Sequence, residues 1–267
     1  MQPSLDERNL LLSTAAGMYA CGVLACLTLQ FQSAPYGRYE QGASRLWGPR
    51  MNGRLAWFLQ ELPCVVLPLF NLSRVATRPP PAAAALLAMY LFHYANRALV
   101  YPLRIRGGRP TPFSVFLMAL AFCVINGHLQ SRWLLAFADH AGTSIASPRF
   151  AAGSALWAAG LAANWHADGV LRSLRAAAAP AADGGKAHYR IPRGGLFEFV
   201  SGANFLGEIV EWAGWALAAG DARVAGAFAF FTACNIGPRA VAHHAWYLEK
   251  FKGEYPSHRR ALIPFLF

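Results

Sequence analysis

Polar side chains that can donate or accept a proton lie inside long apolar runs of this chain. Glu61 is the only charged residue between Arg54 and Arg74, and Gln60 precedes it directly. If such a run lies in a membrane, its carboxyl group must face a cavity or a partner, and it marks a functional-site hypothesis by default. The alternative is a structural hydrogen bond to a neighbouring helix. We favour the functional interpretation.

Three other apolar segments carry polar side chains at helical spacing. The first segment carries Asn164 and Asp168, the second carries Asn204 and Glu208, and the third carries Arg239, His243 and Tyr247. Residues four apart lie on one face of a helix, so each segment presents a polar stripe. One stripe could serve a structural ion pair, but three together predict a shared polar cavity. A large ligand that bears phosphate groups would fit it, with arginines at the mouth.

The segment from Arg190 to Trp212 is central to this prediction. It opens with a proline and two glycines, and we expect it to continue as one apolar helix. That helix would carry the amide of Asn204 and three carboxylates, which are Glu198, Glu208 and Glu211.

Two tyrosines and a group of arginines lie near the end of another apolar run. Tyr94 and Tyr101 are seven residues apart and share a helical stripe, with Arg97 close by. Tyrosines at a membrane interface are often anchors, which suits Tyr101, whereas the deeper Tyr94 suits a hydrogen-bonding role. The arginines that follow, around two glycines, are Arg104, Arg106 and Arg109. They either anchor the chain on its basic side or clamp phosphate oxygens.

Composition indicates the helices that must position these groups. Hydrophobic residues make up 55% of the 267 residues and charged residues 14%, against roughly 25% charged in a typical soluble domain. Several apolar runs approach the ~20 residues that a spanning helix needs. We therefore predict an all-α, polytopic membrane protein that forms a single domain over residues 1–267. Its seven transmembrane helices are expected near 10–32, 53–73, 82–103, 111–131, 148–171, 196–219 and 224–248.

The distribution of basic residues predicts the orientation. With the N-terminus outside, the outer segments hold six of the 24 basic residues, which are Arg8, Arg74, Arg78, Arg132, Arg149 and Arg223. The excess on the other side is the positive-inside pattern and predicts a cytoplasmic C-terminus. The net charge of +11 therefore does not indicate a nucleic-acid partner, because a basic binding face would not alternate with hydrophobic spans.

Several other site types are excluded. The five cysteines all lie in apolar runs without CxxC spacing, so we expect neither a disulfide nor a metal site. The chain has no P-loop, no GxGxxG turn and no HxxHH box. The first apolar run lacks a basic leader and a cleavage site, so it is expected to be a retained span. Only three of the basic residues are lysines and alanine is abundant, which favours a GC-rich bacterial genome and hence a bacterial inner membrane.

Five stretches resemble the steroid 5α-reductase (3-oxo-5α-steroid 4-dehydrogenase) family. They are WFLQELP, HYANRALVYPLRIRGGRP, ANWHADGVLR, YRIPRGGLFEFVSGANFLGEIVEW and RAVAHHAWYLEKFKGEYPSHRRALIPFLF. The likeness runs from about residue 33 to the C-terminus, and the motifs are long and in the family's order. The first span is similar only in its hydropathy.

This resemblance implies an enzyme that uses NADPH to reduce the C4–C5 double bond of a 3-oxo-Δ4-steroid. Gln60 and Glu61 match the family's Gln-Glu pair, and Tyr94 matches its substrate tyrosine. In such enzymes Glu61 and Tyr94 hydrogen-bond the 3-carbonyl oxygen while C5 receives a hydride and C4 a proton. The physics agrees, because donors placed at that oxygen stabilise the charge that it gains, and a neutral carboxylic acid in an apolar site can be such a donor.

The resemblance also implies the cofactor site. The matching residues are Asn164, Asp168, Arg175, Arg190, Asn204, Glu208, Arg239, His243 and Tyr247. Tyr101, Arg106 and Arg109 would lie near the phosphates, and Tyr36 would belong to a loop that closes over the nicotinamide. Arg175 is the expected contact of the 2′-phosphate, which would select NADPH over NADH.

Two alternatives remain at this point. One is a related membrane enzyme, either a sterol C14/C7 reductase or an isoprenylcysteine methyltransferase-like protein that binds S-adenosylmethionine. The methyltransferase does not call for Gln60, Glu61 or Tyr94. The other is a non-enzymatic lipid-binding protein, which has little reason to place polar stripes on three helices. We expect a monomer whose partners are membrane lipids and a steroid or another enone lipid.

Overall fold

The computed structural model describes residues 4–35, 37, 39, 45–105, 109–139, 144–176 and 189–267. Two predicted site residues, Tyr36 and Arg106, lie outside the described residues. The described chain is mostly α-helical. Its helices are α1 (Leu5–Phe31), α2 (Gly53–Glu61), α3 (Pro63–Ser73), α4 (Pro81–Ala95), α5 (Tyr101–Arg104), α6 (Phe113–Ala136), α7 (Pro148–Ala176), α8 (Ala203–Ala219) and α9 (Ala225–Phe251).

Helix starts follow local sequence signals. The Ser4 side chain accepts a hydrogen bond from the Glu7 N–H at the start of α1, and the Asn52 side chain does the same for two N–H groups of α2. Such caps satisfy N–H groups that have no partner within the helix. α3 and α4 instead begin at Pro63 and Pro81, where proline loses no hydrogen bond.

A short two-stranded ribbon ties the start of α2 to the start of α6. β1 (Arg50–Met51) pairs antiparallel with β2 (Thr111–Pro112), and Arg50 lies opposite Pro112. The fold is otherwise helical over the described residues, as the composition predicts.

The predicted third span is not one regular helix. Between α4 and α5 the chain forms a π-helical turn over Asn96–Val100. π-Helical turns occur mostly as single insertions and often at functional sites. The turn shifts the register, so Tyr94 and Tyr101 face different neighbours. Tyr94 packs against Tyr90 and His93, whereas Tyr101 packs against Trp57.

The prediction of a helix over 196–219 is wrong at its N-terminal end. α8 begins at Ala203, and a short 3-10 turn occupies Gly195–Glu198. Val200 forms a parallel bridge with Arg260, which gives the backbone before Ala203 a partner other than a helix. Glu198 therefore lies outside the helix on which we expected it.

α7 and α8 pack together with no side chains between them at two levels, one where Gly160 faces Gly207 and one where Gly153 faces Gly214. A β-carbon at Gly160 would overlap the Glu211 backbone, and one at Gly207 would lie 2.5 Å from the Asn164 nitrogen. Small residues let helix backbones approach this closely. The contact places Asn164 of α7 beside the first turn of α8.

Three helical segments are long and apolar enough to cross a membrane, namely Leu5–Phe31, Gly53–Ser73 and Phe113–Ala136. They correspond to three of the seven predicted spans. The other predicted spans lie on helices that are shorter or less apolar, such as α4 with 15 residues and α8 with 17. These helices contribute large aromatic side chains to the buried core instead, among them Tyr90, Trp212 and Phe228.

Candidate active site

Glu61 lies at the C-terminal end of α2 and makes only weak polar contacts. Gln60 Nε2 is 3.5 Å from one of its carboxyl oxygens, and the Cys123 Sγ of α6 is 3.8 Å from the other. Arg97, Glu208 and His93 lie close enough to interact with it electrostatically. The Glu61 carboxyl group therefore has no strong protein partner among the described residues, which leaves it available to a ligand.

Tyr94 of α4 approaches the same place from another helix. Its side chain is buried and lies within electrostatic range of Glu61. The Asn126 Nδ2 of α6 lies 3.5 Å from the Tyr94 hydroxyl and 3.1 Å from the Tyr90 hydroxyl. The amide can donate to either phenol oxygen, and the Tyr94 hydroxyl has one proton of its own to donate.

A buried hydrogen-bonded pair lies behind Tyr94. His93 Nδ1 is 2.7 Å from Glu211 Oε1, and the second oxygen, Glu211 Oε2, is buried without a hydrogen-bond partner in the described structure. The Trp212 ring packs edge-on against the His93 ring at 4.6 Å and stacks on Tyr94 at 5.8 Å. This pair connects α4 to α8 at the level of the proposed donors.

Arg97 joins three parts of the fold. Its guanidinium group donates to Asp168 of α7 at 3.3 Å and to Glu208 of α8 at 3.2 Å. The rings of Trp57 and Tyr101 lie 5.0 and 5.1 Å from its central carbon. Arg97 thus interacts with the Glu61 carboxyl group on one side and with the acidic groups of α7 and α8 on the other.

The stripes of α7 and α8 face each other, as their spacing predicts. Asn164 Nδ2 donates to the Asn204 carbonyl oxygen at 2.9 Å, and Asp168 and Glu208 share Arg97. Arg172 and Arg175 lie in electrostatic range of both Tyr101 and Asp168. The structure therefore brings together the predicted residues Tyr101, Asn164, Asp168, Arg175, Asn204 and Glu208.

The stripe of α9 lies on the far side of Phe205. The Arg239 guanidinium is 5.6 Å from the Phe205 ring, and the His243 ring is 5.1 Å from it. Tyr247 stacks on Tyr255, near the C-terminus, at 5.2 Å. Because Phe205 follows Asn204 directly, Arg239 and His243 border the same region from the α9 side.

The two remaining predicted arginines lie at loops. Arg109 lies beside the ribbon, where its carbonyl oxygen approaches Gly53 closely. Arg190 is exposed and adjoins Tyr189, whose ring contacts Trp246 of α9 at 4.8 Å.

The C-terminal segment fixes the loop that precedes α8. Arg259 is only 1% exposed, and it donates to the Pro192 carbonyl oxygen at 2.8 Å and to Glu198 Oε2 at 3.2 Å. Glu198 Oε1 accepts the Gly194 N–H at 2.6 Å. Gly194 has a φ of 92°, a conformation that glycine adopts readily. These contacts hold the loop in one shape at the edge of the site.

Ser201 joins the same region to α9. Its hydroxyl lies 2.6 Å from His244 Nδ1 and 2.7 Å from the Tyr255 hydroxyl. The three polar groups satisfy one another in a buried position, so we assign them a structural role.

Sequence reasoning missed His93, Arg97, Asn126 and Arg259 as parts of the site or its support. A signal existed for two of them, because His93 and Arg97 are four residues apart and lie on the same apolar run as Tyr94. The others had none, since Asn126 is an isolated amide and Arg259 is one of several basic residues near the C-terminus.

The assembled groups have the hydrogen-bonding chemistry that a dinucleotide requires. Carboxylates and amides can accept from and donate to ribose hydroxyls and carboxamide groups, and arginines match phosphate oxygens. No group of three or more His, Cys, Asp or Glu side chains that could hold a metal ion occurs in the part of the chain that the structure describes. The cysteines described there are free.

Comparison with known proteins places the chain in a family. The family model for 3-oxo-5-alpha-steroid 4-dehydrogenase matches residues 109–267. The chain is 45% identical over 269 residues to 3-oxo-5-alpha-steroid 4-dehydrogenase 1 of Bos taurus, covering 98% of this chain and 99% of the relative. The human protein of that name is 44% identical over 98% of this chain and 97% of its own length. Steroid 5-alpha-reductase DET2 of Gossypium hirsutum is 40% identical over 94% and 95%. The chain therefore belongs to the 3-oxo-5-alpha-steroid 4-dehydrogenase family.

Proposed function

We propose that the protein reduces the C4–C5 double bond of a 3-oxo-Δ4-steroid to the 5α-product, with NADPH as the reductant. The activity named for its relatives supports this reaction. The observation that carries it is the convergence of Glu61 and Tyr94, from α2 and α4, on one face of α6. Cys123 Sγ lies 3.8 Å from the Glu61 carboxyl group, and Asn126 Nδ2, three residues further along α6, lies 3.5 Å from the Tyr94 hydroxyl. On its other side Glu61 lies within electrostatic range of Arg97 and Glu208.

Glu61 and Tyr94 are the proposed catalytic residues. As C5 becomes bonded to hydrogen, negative charge moves onto the 3-oxygen, and two donors at that oxygen stabilise it. The Tyr94 hydroxyl has one proton, which it can donate to the 3-oxygen. Glu61 donates in its neutral form, as a carboxylic acid in an apolar site can. Gln60 orients Glu61 through its amide.

NADPH, when bound, supplies the hydride that C5 receives. The resulting enolate takes a proton from water at C4, so one hydride and one proton are added across the double bond. The residues that would hold the cofactor are Tyr36, Tyr101, Arg106, Arg109, Asn164, Asp168, Arg175, Arg190, Asn204, Glu208, Arg239, His243 and Tyr247. Arg175 is the proposed contact of the 2′-phosphate, since its guanidinium fork matches phosphate geometry and its side chain is exposed at the end of α7.

We also propose the finer topology. The chain would cross the membrane seven times as a monomer, with its N-terminus outside and the cofactor site facing the cytoplasm. The three long apolar segments support spans in this arrangement, and the asymmetry of basic residues supports the orientation. A bacterial inner membrane fits the arginine-rich, lysine-poor composition.

The reaction can be tested with purified protein in detergent. NADPH oxidation is followed by absorbance with progesterone or testosterone present, and the product is identified by gas chromatography and mass spectrometry against 5α and 5β standards. We expect steroid-dependent oxidation and the 5α-product. A parallel incubation with S-adenosylmethionine and an isoprenylcysteine substrate tests the methyltransferase alternative. Methyl transfer without steroid reduction would reject the proposal, as would turnover of a Δ14-sterol in place of the enone.

A further inference from the structure

Arg97 is a cation held between two carboxylates in the region that the proposed function assigns to the cofactor. Its two terminal nitrogens each reach a different helix, Asp168 of α7 and Glu208 of α8. All three side chains are largely shielded, with exposures of 15%, 8% and 17%. Charges that are shielded in this way interact much more strongly than charges in water.

The local backbone holds Arg97 in this position. The side chain extends from the π-helical turn, and the Trp57 Nε1 donates to its carbonyl oxygen at 3.2 Å. Trp57 and Tyr101 also supply the aromatic rings beside its guanidinium group. A cation near aromatic rings gains from their quadrupoles. Helices α2, α5, α7 and α8 and the π-helical turn therefore set the position of one charge.

The charge balance explains why such a cation is needed. Asp168 and Glu208 would present two negative charges to an incoming dinucleotide, whose phosphates are also negative. Two carboxylates in a shielded site repel a ligand that carries negative phosphates, and a positive charge between the carboxylates offsets this repulsion. Arg97 is not arranged as a phosphate ligand itself, because its terminal nitrogens already face the two carboxylates.

We propose that Arg97 is a positioning residue that neutralises Asp168 and Glu208 and aims them at the dinucleotide, so that the acidic side of the site can accept an anionic ligand. This inference rests on the proposed function, because it takes the dinucleotide as the ligand. It assigns Arg97 to cofactor affinity and not to the chemistry at the steroid.

A mutant cycle tests whether Arg97 acts through Asp168 and Glu208, and it measures only the affinity for NADP⁺. NADP⁺ is titrated into detergent-solubilised protein by calorimetry for the wild type, Arg97→Gln, the pair Asp168→Asn/Glu208→Gln, and the triple variant. Arg97→Gln should weaken NADP⁺ by about tenfold or more. In the neutralised background the same substitution should change the affinity by less than about threefold, because no carboxylate remains to be balanced.

Arg132→Gln provides a matched control. Arg132 also forms a guanidinium–carboxylate pair, with Glu7 at 2.6 and 2.9 Å, but near the other end of α6. Its loss should lower the melting temperature and leave NADP⁺ affinity unchanged. If Arg97→Gln fails to fold, the pair and triple variants still decide the question in the neutralised background.

The outcomes separate this inference from the proposed function. A tenfold loss on substituting Arg97 in the neutralised background would show a direct contact with the ligand and overturn the inference. Wild-type affinity in Arg97→Gln would overturn it as well. If the wild-type protein does not bind NADP⁺, it is the proposed function that fails.

Discussion

His93 Nδ1 lies 2.7 Å from Glu211 Oε1, and the two side chains are 2% and 0% exposed. The pair joins α4 to α8 immediately behind Tyr94 and against Trp212. Breaking a buried pair by removing one partner costs more than never having had it, because the other group is left without its partner.

We therefore predict that Glu211→Leu destabilises the protein by roughly 3 kcal/mol or more. The double variant His93→Phe/Glu211→Leu should recover part of this loss, since it leaves no polar group unpaired. Thermal unfolding of the ligand-free protein in detergent measures both. Equal melting temperatures for the single and double variants would mean that the pair is not coupled.

Tyr94→Phe removes the proposed phenol donor and keeps the ring. We expect kcat/KM for the steroid to fall by about 100-fold, which is typical when one donor to a developing oxyanion is lost, with NADP⁺ affinity unchanged. Tyr90→Phe is the matched control, because Tyr90 is also buried and also accepts from Asn126. A comparable loss in Tyr90→Phe would assign the effect to packing and not to donation.

Glu61→Gln replaces the proposed acid with an amide of nearly the same shape. The variant should turn over steroid about 100-fold more slowly, because an amide is a weaker donor to a developing oxyanion than a neutral carboxylic acid. NADP⁺ should bind as before. Steady-state kinetics measures the turnover, and a binding titration measures the NADP⁺ affinity. Turnover at the wild-type rate would show that Glu61 is not a catalytic residue.

Arg175→Ala tests the choice between NADPH and NADH. The variant should bind NADPH about tenfold more weakly or worse, and NADH almost as well as the wild type does, since only NADPH has the 2′-phosphate. Arg172→Ala is the control from the preceding turn of α7, and it should affect both cofactors alike. Equal losses for both cofactors in Arg175→Ala would refute the assignment.

The Glu198 carboxyl group predicts an acid-side effect in the loop before α8. The Gly194 N–H, and to a lesser extent Arg259, hold the pKa of Glu198 below its ordinary value. A carboxylate with a lowered pKa adds stability above its unfolded value of about 4.3, and this stability is lost as the pH falls through the lower folded value. The side chain is 41% exposed, so the contribution is at most about 1 kcal/mol.

Glu198→Gln should therefore lose a small amount of stability at pH 7 and none at acidic pH, where the wild type has also lost its charge. Melting temperatures of both proteins across pH 3 to pH 7 check this. A difference that grows toward low pH would contradict the lowered pKa.

Much of the polar site follows from the sequence, because helical spacing alone puts Asn164 with Asp168 and Asn204 with Glu208. Glu61 could be chosen as the lone charge of an apolar run. Arg97 could not be predicted as the partner of Asp168 and Glu208, because it extends from a π-helical turn that changes the register of its helix. The start of α8 at Ala203 could not be predicted either, because the backbone of Val200 forms a bridge with Arg260, which is distant in the sequence. The burial of Arg259 could not be predicted from composition, because one of its partners is a backbone group, the carbonyl oxygen of Pro192.

The backbone-to-backbone contact of α7 with α8 at Gly160 and Gly207 limits which parts of the site can change during evolution. The distance between Asn164 and Asn204 is set by main-chain atoms and cannot be adjusted by trading one side chain for another. The contacts that α6 makes with Glu61 and Tyr94 depend instead on the side chains of Cys123 and Asn126. If the proposed function holds, evolution could change the steroid side of the site by substitution there, whereas a change in the spacing of Asn164 and Asn204 would require the two helix backbones to move.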